Sequence, residues 1–456
     1  MATNEIVDIT LFGATGFAGR LTAKHLYRRC REEGLPFAVA GRNRERLESL
    51  ARELASSAGD KSDSSPPAAG EPVADAVEPP AIRIATTDDT DSLTRLAQGT
   101  KVLCSTVGPY SRLGTPVVEA CAAEGTDYCD LTGEVQWMRR MIDRFDETAR
   151  RSGARIVHAA GFDSIPSDLG VLLAQERLVE LRGRPAEALR LRLQRQAGGV
   201  SRGTLESMVE LVKEAGREAW IRELLKEPHS LEPDWTPKGR RRAAGGRGRG
   251  PRASGRERSP WRDPATGQWT LPFIMEEVNR RVVYRSNALK GYPWGKTFRY
   301  RELFLLPGGF KGFLAALTGR LLFGIGPGLI AFPPTRALIS AALFPKPGEG
   351  PRLALEGGGS FEVRVELPES GEAVVSVAAD RDPGYGATAI MLGETAVLLR
   401  QSRNAGGGGA PGDGDRKEST PGIGPTTGGV LTPATALGSL LAERLTTVGV
   451  RFRLEL

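Results

Sequence analysis

The sequence predicts an α/β protein built on a doubly wound parallel sheet. Two observations carry that prediction. Short apolar runs alternate with stretches of helical spacing through the first half of the chain. A glycine-spaced turn, Leu11-Phe12-Gly13-Ala14-Thr15-Gly16-Phe17-Ala18-Gly19, follows the first of these runs and opens the first helix. The runs lie at 7–12, 37–40, 82–85, 102–105 and 156–160, and the helical stretches at 18–31, 44–55, 116–124 and 136–152. Strands that alternate with helices pair in parallel through right-handed crossovers, so the expectation is a Rossmann-like sheet.

The second half changes character. Strand-like segments at 189–196, 360–367 and 373–379 are joined by helical stretches at 203–225, 389–401 and 432–445. This pattern predicts an α+β domain inserted after the parallel sheet, with C-terminal helices returning to the first domain. The expected division is 1–180, 181–385 and 386–456. Three segments interrupt it: 56–80 is rich in Ser, Ala, Asp and Pro, 236–264 in Arg and Gly, and 402–429 in Gly and Pro. Each reads as a disordered insertion.

Charge is distributed unevenly. The 456 residues carry a formal charge of +7, yet ten Lys or Arg against one acid, Glu257, fall between Lys238 and Arg262. The rest of the chain is close to neutral, so no specific nucleic-acid partner is expected. The basic run reads as a solvated loop, or else as a contact for nucleic acid or anionic lipid. Cys30, Cys104, Cys121 and Cys129 form no C-x-x-C pair, and His25, His158 and His229 are too scattered for zinc ligation. Reduced, buried thiols and no metal site are expected. No secretion signal is visible, so a protein that is not secreted is expected.

The segment 310–332 is unusually apolar. Its longest charge-free stretch, 321–335, is 15 residues, too short to span a bilayer. It reads as buried core, or as a surface that rests on lipid or lines a greasy channel.

The glycine turn carries the clearest chemistry. Gly13 permits the tight turn, Gly16 lets backbone approach a pyrophosphate, and Gly19 lets helix pack close to strand. Ala14, Thr15 and Phe17 complete the loop around the phosphates. The second strand ends in Ala40-Gly41-Arg42, without the acid that receives the ribose 2′-hydroxyl of NAD. Arg42 can pair with a 2′-phosphate instead, which points to NADP(H). The plain alternative is that Arg42 caps and solvates the next helix. Asp88 reads as an adenine contact or as an ordinary helix-start acid.

Three later loops end on strands and face the same crevice. Thr106, Val107, Gly108 and Pro109 would approach the nicotinamide ribose. Tyr110 is either a proton donor or a packed aromatic. Asp130-Leu131-Thr132-Gly133-Glu134 forms a second loop, and Gly161-Phe162-Asp163-Ser164-Ile165-Pro166-Ser167-Asp168 a third. Asp163 and Ser164 are open to a catalytic role, whereas Ser167 and Asp168 read as caps of the next helix. Tyr292-Pro293-Trp294-Gly295-Lys296 matches a Y-x-x-x-K pair, but Pro293 and Gly295 exclude the helix that such a pair needs.

These loops, with Arg285-Ser286-Asn287-Ala288-Leu289 and Gly429-Val430-Leu431-Thr432-Pro433-Ala434, resemble the saccharopine dehydrogenase-like oxidoreductases, and most closely their trans-acting enoyl reductase branch. The resemblance covers the chain apart from the three insertions. It implies reduction of a carbon–carbon double bond in a lipid or polyketide intermediate, with NADPH as hydride donor. Animal relatives are associated with lipid droplets and mitochondria, which suits the 310–332 segment, so a place on the cytoplasmic face at a lipid droplet, a mitochondrion or a membrane surface is expected; the oligomeric state stays open, a homodimer being one alternative. The resemblance carries over no catalytic residue. A dinucleotide-binding scaffold without turnover is the competing expectation.

Overall fold

The computed structural model describes residues 5–59, 78–197, 202–237, 261–263, 265–332, 334–335, 358–405 and 428–456. The first half contains β1 (Val7–Phe12), α1 (Phe17–Glu32), β2 (Phe37–Gly41), α2 (Arg44–Gly59), β3 (Ala81–Ile84), α3 (Thr90–Gln98) and β4 (Thr100–Ser105). It continues through α4 (Tyr110–Leu113), α5 (Thr115–Glu124), β5 (Asp127–Asp130), α6 (Val135–Ser152), β6 (Arg155–Val157) and α7 (Ile165–Arg182). The strands pair in parallel in the order β6-β5-β4-β1-β2-β3. Connection order reverses between β1 and β4, and the strand ends open a crevice there. Helices cover both faces, which is why every residue of β2 is buried and apolar or glycine.

The second half contains β7 (Ala188–Ala197), α8 (Arg202–Arg217), α9 (Ala219–Lys226), β8 (Thr270–Pro272), α10 (Glu276–Leu289), β9 (Arg299–Leu305) and α11 (Gly309–Ala331). Next come β10 (Ser360–Glu366), β11 (Ala373–Ala379), α12 (Thr388–Ala405), β12 (Gly429–Leu431), α13 (Pro433–Ala436), α14 (Gly438–Thr447) and β13 (Arg451–Leu454). A second, mixed sheet runs β13-β11-β10-β7-β9-β8. α7 lies between the two sheets and is buried along most of its length, so it has no polar stripe. A Cβ on Gly170 would lie 2.9 Å from Val365 Cγ2, and this glycine lets β10 approach the helix.

The C-terminal segment returns as expected, but with strands as well as helices. α12 packs on α1 and on β1, β4 and β5. β12 adds a seventh parallel strand beside β6, while β13 pairs with β11 of the other sheet. One segment therefore stitches both sheets.

Several elements differ from expectation, and three of the differences come from buried polar or charged groups. β5 reads Asp-Tyr-Cys-Asp, and both acids are paired inside: Asp127 with Arg155 Nε at 3.1 Å and Asp130 with His158 Nδ1 at 2.8 Å. β9 turns Glu302 inward, where it accepts from Ser167 Oγ at 2.6 Å and Asn279 Nδ2 at 3.0 Å. Ser167 and Asp168 do not cap α7. They lie inside its first turn and reach other segments: Asp168 accepts from Ser286 Oγ at 2.5 Å and from Ala434 N at 2.8 Å. The helix expected at 203–225 breaks at Glu218 into α8 and α9.

The three expected insertions narrow at their edges. α2 continues through Gly59, Asp263 is buried against Arg190, Ser402 accepts from Arg155 Nη1 at 2.7 Å, and Gly429 opens β12. Their remainders, 60–77, 238–260 and 406–427, lie outside the described residues.

The return of α12 depends on Glu394. Its buried carboxylate meets His25 Nε2 at 2.6 Å, Arg29 Nε at 2.9 Å and Arg444 Nε at 2.5 Å. Burial alone would raise its pKa, but His25 and Arg444 outweigh burial and hold it at about 2, below the ordinary 4.5. A depressed carboxylate contributes stability above its ordinary value and loses it as pH falls through the folded value. Glu394→Gln is expected to remove about 3 kcal/mol at pH 7. The loss should shrink between about pH 4.5 and pH 2, as urea unfolding at each pH would report.

Candidate active site

The cofactor end is built from backbone. Gly13 has φ +87°, and a Cβ there would come within 2.8 Å of Val107 Cγ2 and 2.9 Å of Thr106 Oγ1. Both the conformation and the space require glycine. A Cβ on Gly19 would sit 2.2 Å from the Gly13 carbonyl oxygen, so α1 starts hard against the turn. Gly16 is open by contrast: its Cβ would meet only the Gly13 oxygen, at 3.5 Å. It is the N-cap of α1, and no side chain caps that helix. Free N–H groups and the helix dipole are what a pyrophosphate needs, so these residues fit the phosphates of a dinucleotide.

The turn borders a cavity of about 2010 Å³. That exceeds the usual ligand pocket and leaves room for a dinucleotide and a second molecule. Gly16, Phe17, Arg42, Thr106, Gly108 and Pro109 line it. Gly13, Ala14, Thr15, Gly19, Gly41 and Val107 belong to the turn and strand ends that support the wall. Asp88 is exposed and lies outside the wall, and the acid that starts α3 is its neighbour Asp89, which accepts from Ser92 N at 3.2 Å. Arg42 is exposed on the wall, without a hydrogen-bond or ion partner among the described residues. It does not cap α2, because Asn43 Oδ1 accepts from Arg46 N at 2.9 Å.

The three catalytic candidates all reach the wall, in different states. Tyr110 stacks on Trp137 at 5.4 Å. Its hydroxyl donates to Ser105 O at 3.1 Å and accepts from Leu131 N at 3.2 Å. Burial pushes it well above its ordinary value of 10. The geometry is that of a packed aromatic, and the proton-donor reading is not supported. Ser164 is buried and donates to Asn279 Oδ1 at 2.8 Å. Asp163 has a carboxyl with no partner among the described residues, and burial raises it to about 6. In the second loop Thr132 and Gly133 face the cavity. Glu134 turns away to accept from the N–H groups of Tyr110 at 2.8 Å and Ser111 at 2.9 Å.

Known proteins resemble this chain in sequence. Residues 9–157 match the saccharopine dehydrogenase NADP-binding domain. The chain is 36% identical to a trans-acting enoyl reductase of Mycobacterium ulcerans, over 97% of this chain and 96% of that one. It is 34% identical to a trans-acting enoyl reductase of Mycobacterium tuberculosis, again over 97% and 96%. The chain belongs to the trans-acting enoyl reductase branch of the saccharopine dehydrogenase-like oxidoreductases. It is an oxidoreductase of the NADP(H)-dependent kind. Apo saccharopine dehydrogenase (L-Glu forming) from Saccharomyces cerevisiae covers 98% of this chain and 99% of its own, with a TM-score of 0.47 and 12% identity.

The far wall of this oxidoreductase comes from the second sheet and α11. Phe273, Ile274, Met275, Tyr284, Phe298 and Tyr300 form one side. Leu322, Phe323 and Ile330 of α11 border another. α11 is therefore not the buried core segment that its composition allowed. Eight of its large apolar side chains are exposed, among them Phe310 at 77%, Leu321 at 60% and Leu322 at 62%. No described helix is long and apolar enough to cross a membrane. Tyr292 and Lys296 sit in a turn, Tyr292 at φ +62°, so the Y-x-x-x-K match has no helix.

Sequence reasoning missed the polar groups of this far wall, including His229 and Tyr300. They come from separate segments with no shared spacing, and a lone histidine carries no local signal.

Arg42→Ala is expected to weaken NADPH binding at least about 10-fold, the loss of a charge-assisted phosphate contact, and to change NADH binding less than about twofold. A fluorescence titration with each nucleotide measures this. Equal losses for both would remove Arg42 from the 2′-phosphate.

Proposed function

We propose that this protein is an enoyl reductase that uses NADPH to saturate the carbon–carbon double bond of a lipid or polyketide acyl intermediate. One observation carries the reading: a single cavity joins the glycine turn to the apolar wall of α11. The names of relatives that span nearly the whole chain support the reaction class. NADPH supplies the hydride when bound. Gly16 and Arg42 hold its phosphates, and Thr106, Gly108 and Pro109 orient its reactive end. Phe273, Phe298 and the inner face of α11 take the acyl chain and exclude water from it. Reduction at the β-carbon leaves an enolate that needs a proton. Of the residues singled out in the sequence, Asp163 is the one with an uncommitted group at this point of the wall.

NADPH consumption with trans-2-enoyl thioesters of increasing length tests the reading. kcat/KM is expected to rise at least about tenfold from four to eight carbons, because added methylenes are buried. NADPH binding without consumption on any chain length would make the nucleotide structural and the protein a scaffold.

The same reading places α11 on a lipid surface. A helix that docks on another protein shows one apolar stripe, whereas α11 is apolar around its circumference. Its only charges are Lys311 and Arg320, with no acid in Gly309–Ala331. Trp261 is exposed beside it, with the Arg320 guanidinium 4.5 Å from its ring centroid. Such a surface suits anionic headgroups and acyl chains. The protein is expected to float with phosphatidylcholine–phosphatidylglycerol vesicles, and Leu321→Asp with Ile325→Asp, two exposed positions off the cavity wall, to stay in the dense fraction with NADPH affinity unchanged. A wild-type protein that stays in the dense fraction would overturn this placement.

A further inference from the structure

The loop after α9 is held by an unusual investment of buried charge. Arg139, Arg281 and Arg285 are all buried, on α6 and α10. Their guanidinium groups converge on Leu224–Glu232. Arg139 Nη1 donates to Glu232 O at 2.9 Å, Arg281 Nη2 to Leu225 O at 2.9 Å and Arg285 Nη1 to Leu231 O at 2.6 Å. Arg281 Nε adds a bond to Ser230 Oγ at 3.0 Å. Burial costs these cations: it lowers Arg281 and brings Arg285 down to about 9. Three desolvated guanidiniums on one short loop are an expensive way to close a surface, and an effective way to fix a side chain in place.

The side chain so fixed on the cavity wall is His229. Its ring stacks on Tyr284, 4.4 Å between centroids and 6° from parallel. Its Nδ1 meets Glu232 Oε1 at 2.6 Å. Glu232 is itself buried, and its other oxygen accepts from Tyr292 Oη at 3.0 Å. A carboxylate on Nδ1 keeps a proton on that nitrogen and fixes the direction in which Nε2 points. Nε2 remains, with no hydrogen-bond partner among the described residues, on a ring that lines the cavity. α10 ties this point to the cofactor side. Asn279 touches Ser164, and Tyr284 lies five residues on, about 7.5 Å along the axis. His229 is thus within the length of an acyl thioester from the loop of Asp163 and Ser164.

We propose that His229 is the acid of this site, and that Glu232 is its positioning residue. The inference rests on the reductase reading above. Hydride addition to the β-carbon converts NADPH to NADP⁺ and moves the π electrons to the thioester as an enolate. His229 Nε2–H gives its proton to the enolate, the saturated thioester leaves, and the neutral imidazole recovers a proton from water in the open cavity. Asp163, at about 6, is largely ionised at neutral pH and is a poorer neighbour for a developing anion.

The test uses the full-length protein, NADPH and trans-2-dodecenoyl-CoA. His229→Gln is expected to lower kcat at least about 100-fold with KM and NADPH affinity little changed, as loss of a proton donor does. Glu232→Gln is expected to lower kcat at least about 10-fold, again without moving KM, because the ring loses its orientation. His229→Gly should regain turnover when imidazole is added, which a structural role would not permit. Wild-type protein that consumes no NADPH overturns the reductase reading and this inference with it. His229→Gln that turns over near the wild-type rate overturns the inference alone, as does a His229→Gly variant that imidazole does not rescue.

Discussion

A buried carboxylate, Asp168, ties α7 to α10 and to the C-terminal segment that joins both sheets. One of its oxygens takes Ser286 of α10 and the other the backbone of Ala434, while Ser286 Oγ also lies 2.6 Å from Thr432 Oγ1. Three remote stretches of chain thus meet on one group at the start of α7. Glu302, bonded to Ser167, Asn279 and Tyr300, repeats the device at the residue next to it. Burial raises Asp168 to about 6 and Glu302 to about 7, so both pay for desolvation. Their hydrogen bonds offset that cost only when every partner is in place. An apolar seam could slide, but this one has a single arrangement, and the cavity is the space that arrangement leaves.

The two ends of the cavity are made differently. The cofactor end depends on what is missing: no Cβ at Gly13 or Gly19, no cap on α1, no acid after β2. The far end depends on what is added, namely aromatic rings and a histidine held by buried arginines. Dinucleotide recognition needs backbone N–H groups, and any close turn can present them. Side chains at the far end need fixed angles, and buried arginines that donate to backbone carbonyls hold the His229 loop there. The outer end opens beside α11, where apolar exposure takes over from buried charge.

The cofactor half was legible in the sequence because its determinants are local. A glycine at the wrong φ or a Cβ too near a carbonyl is decided within about ten residues, and β1, α1 and β2 follow the expected bounds closely. Two of the strands that escaped, β5 and β9, carry acids whose partners are 28 residues away for Asp127 and 135 for the Ser167 bond of Glu302. Hydropathy scores those acids as exposed, since it does not know that Arg155 or Ser167 will be there. Tyr110 looked reactive for the same reason: its two backbone partners become visible only when β4 and β5 lie side by side.

The sequence by itself determined the parallel sheet, the phosphate turn, the preference for a 2′-phosphate and the family. Each of these rests on neighbours in the chain, where spacing and residue type are enough. Only the tertiary structure decided which polar groups face the substrate. It committed Ser164 and Tyr110 to the scaffold, exposed α11, and brought His229 to the wall through arginines from two distant helices. The physical reason is that a buried charge is tolerable only beside its partner, and which partner stands beside it is a property of the folded chain.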